Sequence, residues 1–324
     1  MMSQSPLSDA VAQAIPASLQ PRSASMPRNG RRVLIVSASD TRFMPLLRSL
    51  IGSLDLVLGD GGVDLACFDI GLEPADRRWL SRYTDTIRPP GTHLGVPADA
   101  HGPALRSFLA RPFLREYFPG YDVYVWIDSD IWLQDPSVIA TYVDGALAGG
   151  MAVTHEEEPA YRFQPALFGW NAKHFLLGYG PVTAAYLLTR SHVNAGLFAL
   201  AADAPQWDAW AGRYETAIRR TGSLVPHDQF ALNQALHARD RLCAPTVLLD
   251  PTCNWICARG APMWDDDKGV YCKPYPPYAP IRALHLAGPA KKKPSLVRRT
   301  KGGSFTSFIL RGSSPVAPAN DIAA

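Results

Sequence analysis

No apolar run in this sequence approaches the roughly 18 to 20 residues that cross a bilayer, so a membrane-spanning helix is not expected. The first thirty residues carry no basic stretch before Arg22 and no apolar leader core, so no signal peptide is expected either. Cysteine is scarce. Cys67, Cys243, Cys253, Cys257 and Cys272 form an odd set, too sparse for a disulfide-stapled secreted domain, and a reducing cytoplasm suits them. Cys253, Cys257 and Cys272 also lack a fourth zinc ligand at a familiar spacing. Charge of one sign is missing as well: 32 Lys and Arg face 29 Asp and Glu, a net +3 that is too mild for coating a phosphate backbone, and no nucleic-acid partner is expected. Glycine is absent from Ser37–Asp40, the loop expected after the first strand. That excludes the glycine-rich fingerprint of nicotinamide dehydrogenases and argues against a sugar-phosphate nucleotidyltransferase.

What is present is an ordinary globular composition, 47% hydrophobic and 10% aromatic, over a length that buries a substantial core. Residues 1–30, rich in Ser, Ala, Pro and Gln, read as a disordered tail. Val33–Val36 reads as a strand, and Phe43, Leu46, Leu47, Leu50 and Leu54 follow at helical spacing. A second cycle gives a strand over Val63–Phe68 and a helix over Pro74–Tyr83 with its proline early. A third gives a helix over Leu105–Phe118 and a buried strand over Asp122–Ile127. The second half is less regular, with a strand near Ala195–Leu200, helices over Pro205–Arg220 and Asp228–Ala238, and a Pro-, Trp- and Tyr-rich loop region after Thr252. Alternation of this kind predicts an α/β domain over 31–293 with a mainly parallel central sheet flanked by helices. Ligands of such sheets gather beyond the carboxyl ends of the strands. Residues 294–324 read as a basic, then low-complexity tail.

The third strand delivers the chain to Asp128-Ser129-Asp130. Side chains two apart on a strand share a side, so the two carboxylates can share one hard divalent ion, Mg²⁺ or Mn²⁺, that keeps positions open for phosphate oxygens. A second copy, Asp265-Asp266-Asp267, stands in a polar loop with no strand before it and reads as a chance match.

Several further segments accompany the first copy in order: Ser37–Asp40; Phe68-Asp69-Ile70-Gly71-Leu72; Arg111 before Pro112-Phe113-Leu114; Tyr124–Trp132; Asn194-Ala195-Gly196; His227-Asp228-Gln229 through Asn233; and His285 with Gly288 and Lys291. Taken together, the set resembles the retaining glycosyltransferases of family 8 with the GT-A fold, relatives of glycogenin and bacterial galactosyltransferases. The resemblance spans about Val33 to Lys293. It departs from the family pattern at Thr41-Arg42-Phe43, where the family has an aromatic shortly after the first Asp, and at Lys291-Lys292-Lys293-Pro294, where it has Lys-Pro-Trp.

The resemblance implies a metal-dependent hexosyltransferase using a UDP-sugar, with Mn²⁺ or Mg²⁺ held by Asp128, Asp130 and His285. It places Ser37 and Asp40 at the nucleotide base, Arg111, Asn194 and Gly196 at the donor, and Gly288 and Lys291 at the diphosphate. It assigns Asp228 and Gln229 to the sugar and the reacting carbon, with retention of configuration. A sugar-nucleotide-binding protein without turnover is the alternative from another class. The acceptor, a saccharide, lipid or protein, is left open. Trp132, His155, Glu156, Tyr161, Trp170 and the stretch Trp255–Tyr278 are candidate lining, because aromatic faces bind sugar rings. The cations Lys291, Lys292, Lys293, Arg298, Arg299 and Lys301 are expected to attract phosphate or the anionic inner face of a membrane.

Overall fold

The computed structural model describes residues 30–58, 62–96, 102–222, 227–238, 245–288, 291 and 295–307. The expected N-terminal tail through residue 29, Cys243, Lys292 and Lys293, and everything after 307 lie outside the described residues.

The strands in chain order are β1 (Val33–Ser39), β2 (Val63–Asp69), β3 (Ile87–Arg88), β4 (Val123–Ile127), β5 (Ile131–Leu133), β6 (Met151–His155), β7 (Val193–Ala201), β8 (Thr246–Leu249), β9 (Trp255–Ile256), β10 (Met263–Asp265), β11 (Val270–Cys272), β12 (Ala283–His285), β13 (Ser295–Arg299) and β14 (Ser304–Ser307). Seven form the central sheet in the order β3-β2-β1-β4-β7-β6-β8. All its pairings are parallel except those made by β7, which runs against both β4 and β6. The mainly parallel α/β sandwich expected from the alternation is therefore present.

Both faces of β1 and β4 are buried, which is why they read as unbroken apolar runs. Val33, Ile35, Val123, Val125 and Ile127 pack on helices Met44–Leu58 and Val138–Gly149. Leu34, Val36, Tyr124 and Trp126 pack on helices Pro103–Ala110, Gln206–Thr221 and His227–Leu236. Two small sheets accompany the central one: β5-β12-β9, and β11-β10-β13-β14.

Several expectations are corrected. Strand β1 continues through Ser39, so Ser37 lies within the strand, opposite Cys67, rather than in a loop. The single helix expected over Leu105–Phe118 is helix Pro103–Ala110, a 3-10 turn at Arg111–Phe113 and a last turn at Leu114–Tyr117. Pro112 has no N–H to give to the preceding turn, and the break leaves Arg111 pointing into the protein, buried. Helices Pro165–Tyr179 and Pro181–Leu187 were not anticipated. The stretch 295–307, expected as tail, is a hairpin that extends β10, with Val297 and Phe305 opposite each other and buried. The second Asp-x-Asp does follow a strand, β10, but Asp265 accepts the backbone N–H groups of Asp267 and Lys268 and closes a turn. Among the described residues no helix is long and apolar enough to cross a membrane.

Candidate metal and donor site

The carboxyl edge of the sheet collects the ends of β1, β2, β4 and β6, and, because β7 is reversed, the beginning of β7. Strand β4 stops at Ile127, and a turn closed by the Ile131 N–H on the Asp128 carbonyl (3.0 Å) brings Asp128 and Asp130 together. The convergence expected from strand pleating is thus achieved by a turn. The Asp128 N–H donates to the Gly196 carbonyl (2.8 Å) and the Leu286 N–H to the Asp130 carbonyl (3.0 Å), fixing the turn between β7 and the residue after β12. Strand β12 pairs antiparallel with β5, His285 opposite Ile131. Its imidazole Nε2 lies 3.4 Å from Asp130 Oδ1 and 4.0 Å from Asp128 Oδ2.

Asp128, Asp130 and His285 each offer a ligand atom, all within 4.8 Å of one another, and they are the one such group among the described residues. Two ligands on opposite sides of an ion bound at about 2.2 Å stand about 4.4 Å apart, so the spacing suits one shared cation. Two carboxylates with an imidazole match Mn²⁺ or Mg²⁺, the softer nitrogen favouring Mn²⁺. A relay of amides sets the imidazole tautomer. The Gly196 N–H donates to Asn194 Oδ1 (2.9 Å), so the Asn194 NH₂ faces Glu156 Oε1 (2.8 Å). Asn254 Nδ2 also donates to Asn194 Oδ1 (3.1 Å), which turns Asn254 Oδ1 toward His285 Nδ1 (3.1 Å). His285 therefore donates from Nδ1 and aims Nε2 at the carboxylates, so that a cation replacing the Nε2 proton would meet the arrangement metal-bound histidines adopt.

Charge is balanced by two cations, Arg111 and Lys291, drawn from different parts of the chain. Arg111 is buried and forks, NH1 to Asp228 (2.5 Å) and NH2 to Asp128 (2.6 Å), with its guanidinium over the Trp126 ring. Trp126 Nε1–H donates to Asp128 as well (2.7 Å). Lys291 Nζ reaches Asp130 Oδ2 (2.9 Å) across the Phe43 ring. Burial alone would raise the Asp130 pKa, but His285 and Lys291 hold it below its ordinary value. Burial pulls the His285 pKa down, and Asp130 and Asp128 more than offset that pull. Asp228 sits higher than usual because burial outweighs the Arg111 attraction.

Beside this cluster, Gln229 accepts from the Ala195 N–H (3.1 Å) through Oε1 and turns its amide NH₂ toward Glu156 (3.3 Å). Asn233 holds both backbone groups of Val193, at 2.8 and 3.0 Å. Asp228, Gln229, Asn194, Gly196, Arg111, Lys291 and the metal-ligand group are thus joined by direct contacts. Gly288, three residues after His285, has φ +71°. Ser37 and Asp40 lie apart from these contacts: Asp40 caps the turn Thr41–Phe43 and pairs with Arg42 (2.6 Å), and the buried Ser37 hydroxyl has no partner among the described residues.

Of the acceptor candidates, Trp255 is fully buried and Tyr161 accepts from the Ile256 N–H, so both serve the core. Glu156 belongs to the amide relay. Of the basic cluster, Lys291 pairs with Asp130, Arg299 with Asp266 and Lys301 with Asp267, and Arg298 is exposed. Asn254 and His192 were not foreseen as site residues, and Arg259 was covered only by the broad stretch Trp255–Tyr278. His192 and Arg259 flank Glu156 at 3.4 and 2.7 Å, and none of the three carries a local pattern that marks it.

Two expected results follow from this geometry. A Cβ on Gly196 would stand 2.5 Å from His285 Cε1, 2.8 Å from Asn194 Oδ1 and 2.9 Å from Asp128 Oδ2. Gly196→Ala should therefore push the ligands apart and weaken Mn²⁺ binding at least about tenfold in calorimetric titration, with about 1–3 kcal/mol lost in denaturant unfolding. The second result concerns Glu156. Burial would raise its pKa, but His192, Arg259 and Asn194 bring it down from 4.5 to about 2. A depressed carboxylate contributes stability that is present above the unfolded pKa and lost as pH falls through the folded one. Glu156→Gln should cost about 3 kcal/mol at neutral pH, and its unfolding curve should converge with the parent's as pH drops from about 4.5 toward 2. A constant difference across that range would contradict the assignment.

Neither a scan against protein-family models nor a search of curated proteins finds a match to this sequence. Among solved structures the chain is similar to the WbbM bifunctional glycosyltransferase in its apo form, with 14% identity and a TM-score of 0.50 over 81% of this chain and 47% of that one. The chain thus spans about half of the WbbM chain. It is also similar to the galactosyltransferase LgtC, solved with donor and acceptor sugar analogs, with 13% identity and a TM-score of 0.47 over 79% of this chain and 88% of that one. What is shared at such identities is the fold. The protein has a GT-A-type architecture, the α/β fold of nucleotide-diphospho-sugar transferases.

Proposed function

We propose that this protein is a metal-dependent glycosyltransferase that moves a hexose from a UDP-sugar to a saccharide, lipid or protein acceptor with retention of configuration, as family 8 enzymes do. The observation that carries the reading is the convergence of Asp128, Asp130 and His285 beside Asp228, Gln229 and Asn194 at the carboxyl edge of a GT-A-type sheet. Asp128, Asp130 and His285 would hold Mn²⁺ or Mg²⁺, and the bound ion would offset charge growing on the departing diphosphate.

The chain's own groups do the rest. Lys291, poised 2.9 Å from Asp130, can turn to a phosphate oxygen once the carboxylate is neutralised. Gly288, at φ +71° with open space where a Cβ would stand, would let a diphosphate approach its backbone closely. Arg111 holds Asp228 and Asp128 in one frame, so the group that would bind the sugar hydroxyls and a group that would hold the ion keep a fixed relation. Gln229 is steadied by Ala195 and Glu156, and the resemblance sets its side chain near the reacting carbon. In that scheme the acceptor hydroxyl passes its proton to the departing phosphate oxygen as the new bond forms. Ser37 and Asp40, at the end of β1, would flank the base. Such an enzyme would work in the cytoplasm or against the inner face of the membrane.

The test is UDP release from a panel of UDP-hexoses, with and without Mn²⁺. Metal-dependent release, and product of retained configuration by NMR, support the reading. Tight UDP binding with no release across the panel would instead make the chain a sugar-nucleotide-binding protein. Calorimetric binding of GDP tighter than UDP, with Mn²⁺ present, would overturn the choice of base.

A further inference from the structure

Between β6 and β7 the chain leaves the sheet and returns through helices Pro165–Tyr179 and Pro181–Leu187. The first helix is apolar nearly all round. Its buried side sends Phe175 and His174 against Phe230, the residue after Gln229. Its other side is open. Trp170, Lys173, Leu176 and Leu177 recur at one-turn spacing and are exposed, Trp170 at 45%. Phe163 and Phe168 touch each other at one end, Phe163 75% exposed, and Val182 stands 79% exposed beyond the other end. Large apolar side chains gathered in this way mark a surface that meets something.

Charge says what it meets. From Pro159 to His192 there is not one Asp or Glu, whereas Arg162, Lys173 and Arg190 punctuate the segment, all exposed. Arg220, from the neighbouring helix, donates to the Leu177 carbonyl (3.4 Å) and adds to the rim. Glu215, on that neighbouring helix, is paired with Arg219. An aromatic and aliphatic face with a cationic border is the composition of helices that lie in the interface of anionic lipid. A second copy of the chain is disfavoured as occupant, because a two-fold contact would set identical cationic borders against each other. The C-terminal hairpin is a poorer candidate for lipid contact, since of its cations Arg299 and Lys301 are already paired with Asp266 and Asp267 and only Arg298 is left exposed without an acid among the described residues.

We infer that the face formed by Trp170, Leu176, Leu177 and Val182, with Phe163 exposed at its end, docks the protein on an anionic lipid bilayer. The excursion that carries it begins next to Glu156 and ends next to Asn194, so docking would set the candidate site beside the lipid surface. The inference goes beyond the glycosyltransferase reading and stands or falls separately, because its readout is sedimentation and not turnover.

The full-length protein should sediment with vesicles of mixed phosphatidylcholine and phosphatidylglycerol at low salt. It should remain largely in solution with phosphatidylcholine alone. Leu177→Glu combined with Val182→Glu should weaken that binding at least about tenfold, with an unchanged melting temperature. Val182→Glu alone, at the most exposed position, should weaken it in the same direction and serves if the double variant folds poorly. Failure of the parent to sediment, or equal binding by a folded variant, would overturn the inference. A concentration-dependent dimer abolished by the same substitutions, without vesicle binding, would show that a second copy covers the face.

Discussion

Asp130→Asn should lower metal-dependent turnover by about a thousandfold or more, measured as UDP release at saturating Mn²⁺. The change keeps the shape of the side chain and removes the charge that His285 Nε2 (3.4 Å) and Lys291 Nζ (2.9 Å) share. Without that charge the proposed cation would lose one of two carboxylate ligands, and Lys291 loses the partner that holds it at the edge of the site. Folding should suffer far less. His285 can become neutral once its acidic neighbour is gone, because that neighbour raises its pKa, and Lys291 reaches solvent. The melting temperature should stay within about 5 °C of the parent's. Asp267→Asn is the matched control. Its partner is the exposed Lys301 at the far side of the small sheet, and activity should be unchanged. Near-normal turnover by Asp130→Asn, with loss of activity in Asp267→Asn, would move the metal to the second Asp-x-Asp.

The largest effect on stability is expected at Arg111. Its side chain is 5% exposed and neutralises both Asp228, itself buried, and Asp128. Arg111→Met fills much of the space but strands two carboxylates, one with no water to turn to, and should cost about 3–5 kcal/mol in denaturant unfolding. The pH dependence gives the cause away. Asp228 already has a raised pKa from burial, and loss of the cation raises it further. A group whose folded pKa is raised supports the fold below its unfolded pKa and ceases to do so as pH rises through the folded one. The deficit of Arg111→Met should therefore shrink toward acid pH. Arg111→Lys should recover only part of the loss, since one ammonium cannot replace a fork with two carboxylates at 2.5 and 2.6 Å. A pH-independent deficit would mean that packing against Trp126 and Phe108, and not charge, explains the cost.

The parts of the fold that sequence reasoning recovers are those where one physical rule dominates. Strands β1 and β4 are buried on both faces and read as apolar runs, and helix Gln206–Thr221 turns Trp207, Trp210, Tyr214 and Ala217 inward on a clear stripe. Helix Pro165–Tyr179 escaped for the opposite reason: with apolar residues on all sides it has no stripe to detect. The hairpin after residue 294 was hidden by its cations, which mask the inward Val297 and Phe305. In the site, Asp128 and Asp130 are legible because they follow a strand directly. His285 comes from the opposite end of the chain, and no local pattern brings it there; only the ordered resemblance did. Asn254 had no such help, and its role appears only once Asn194 and His285 are seen on either side of it.

The reversed direction of β7 has a consequence for how such a protein can diversify. The excursion leaves the sheet at Glu156 and re-enters at Asn194, and its two ends are stapled together there, by the Asn194 side chain on Glu156 (2.8 Å) and by the Glu156 N–H on the His192 carbonyl (2.6 Å). The segment between the staples is tied to the body at a few points, Tyr161 accepting from the Ile256 N–H and Phe175 lying against Phe230. Its exposed positions can change their chemistry, and its outer turns their length at little closure entropy, while the neck and those anchors keep the sheet edge in register. Variation in what the protein meets can accumulate on that outer surface without disturbing the cluster around Asp128.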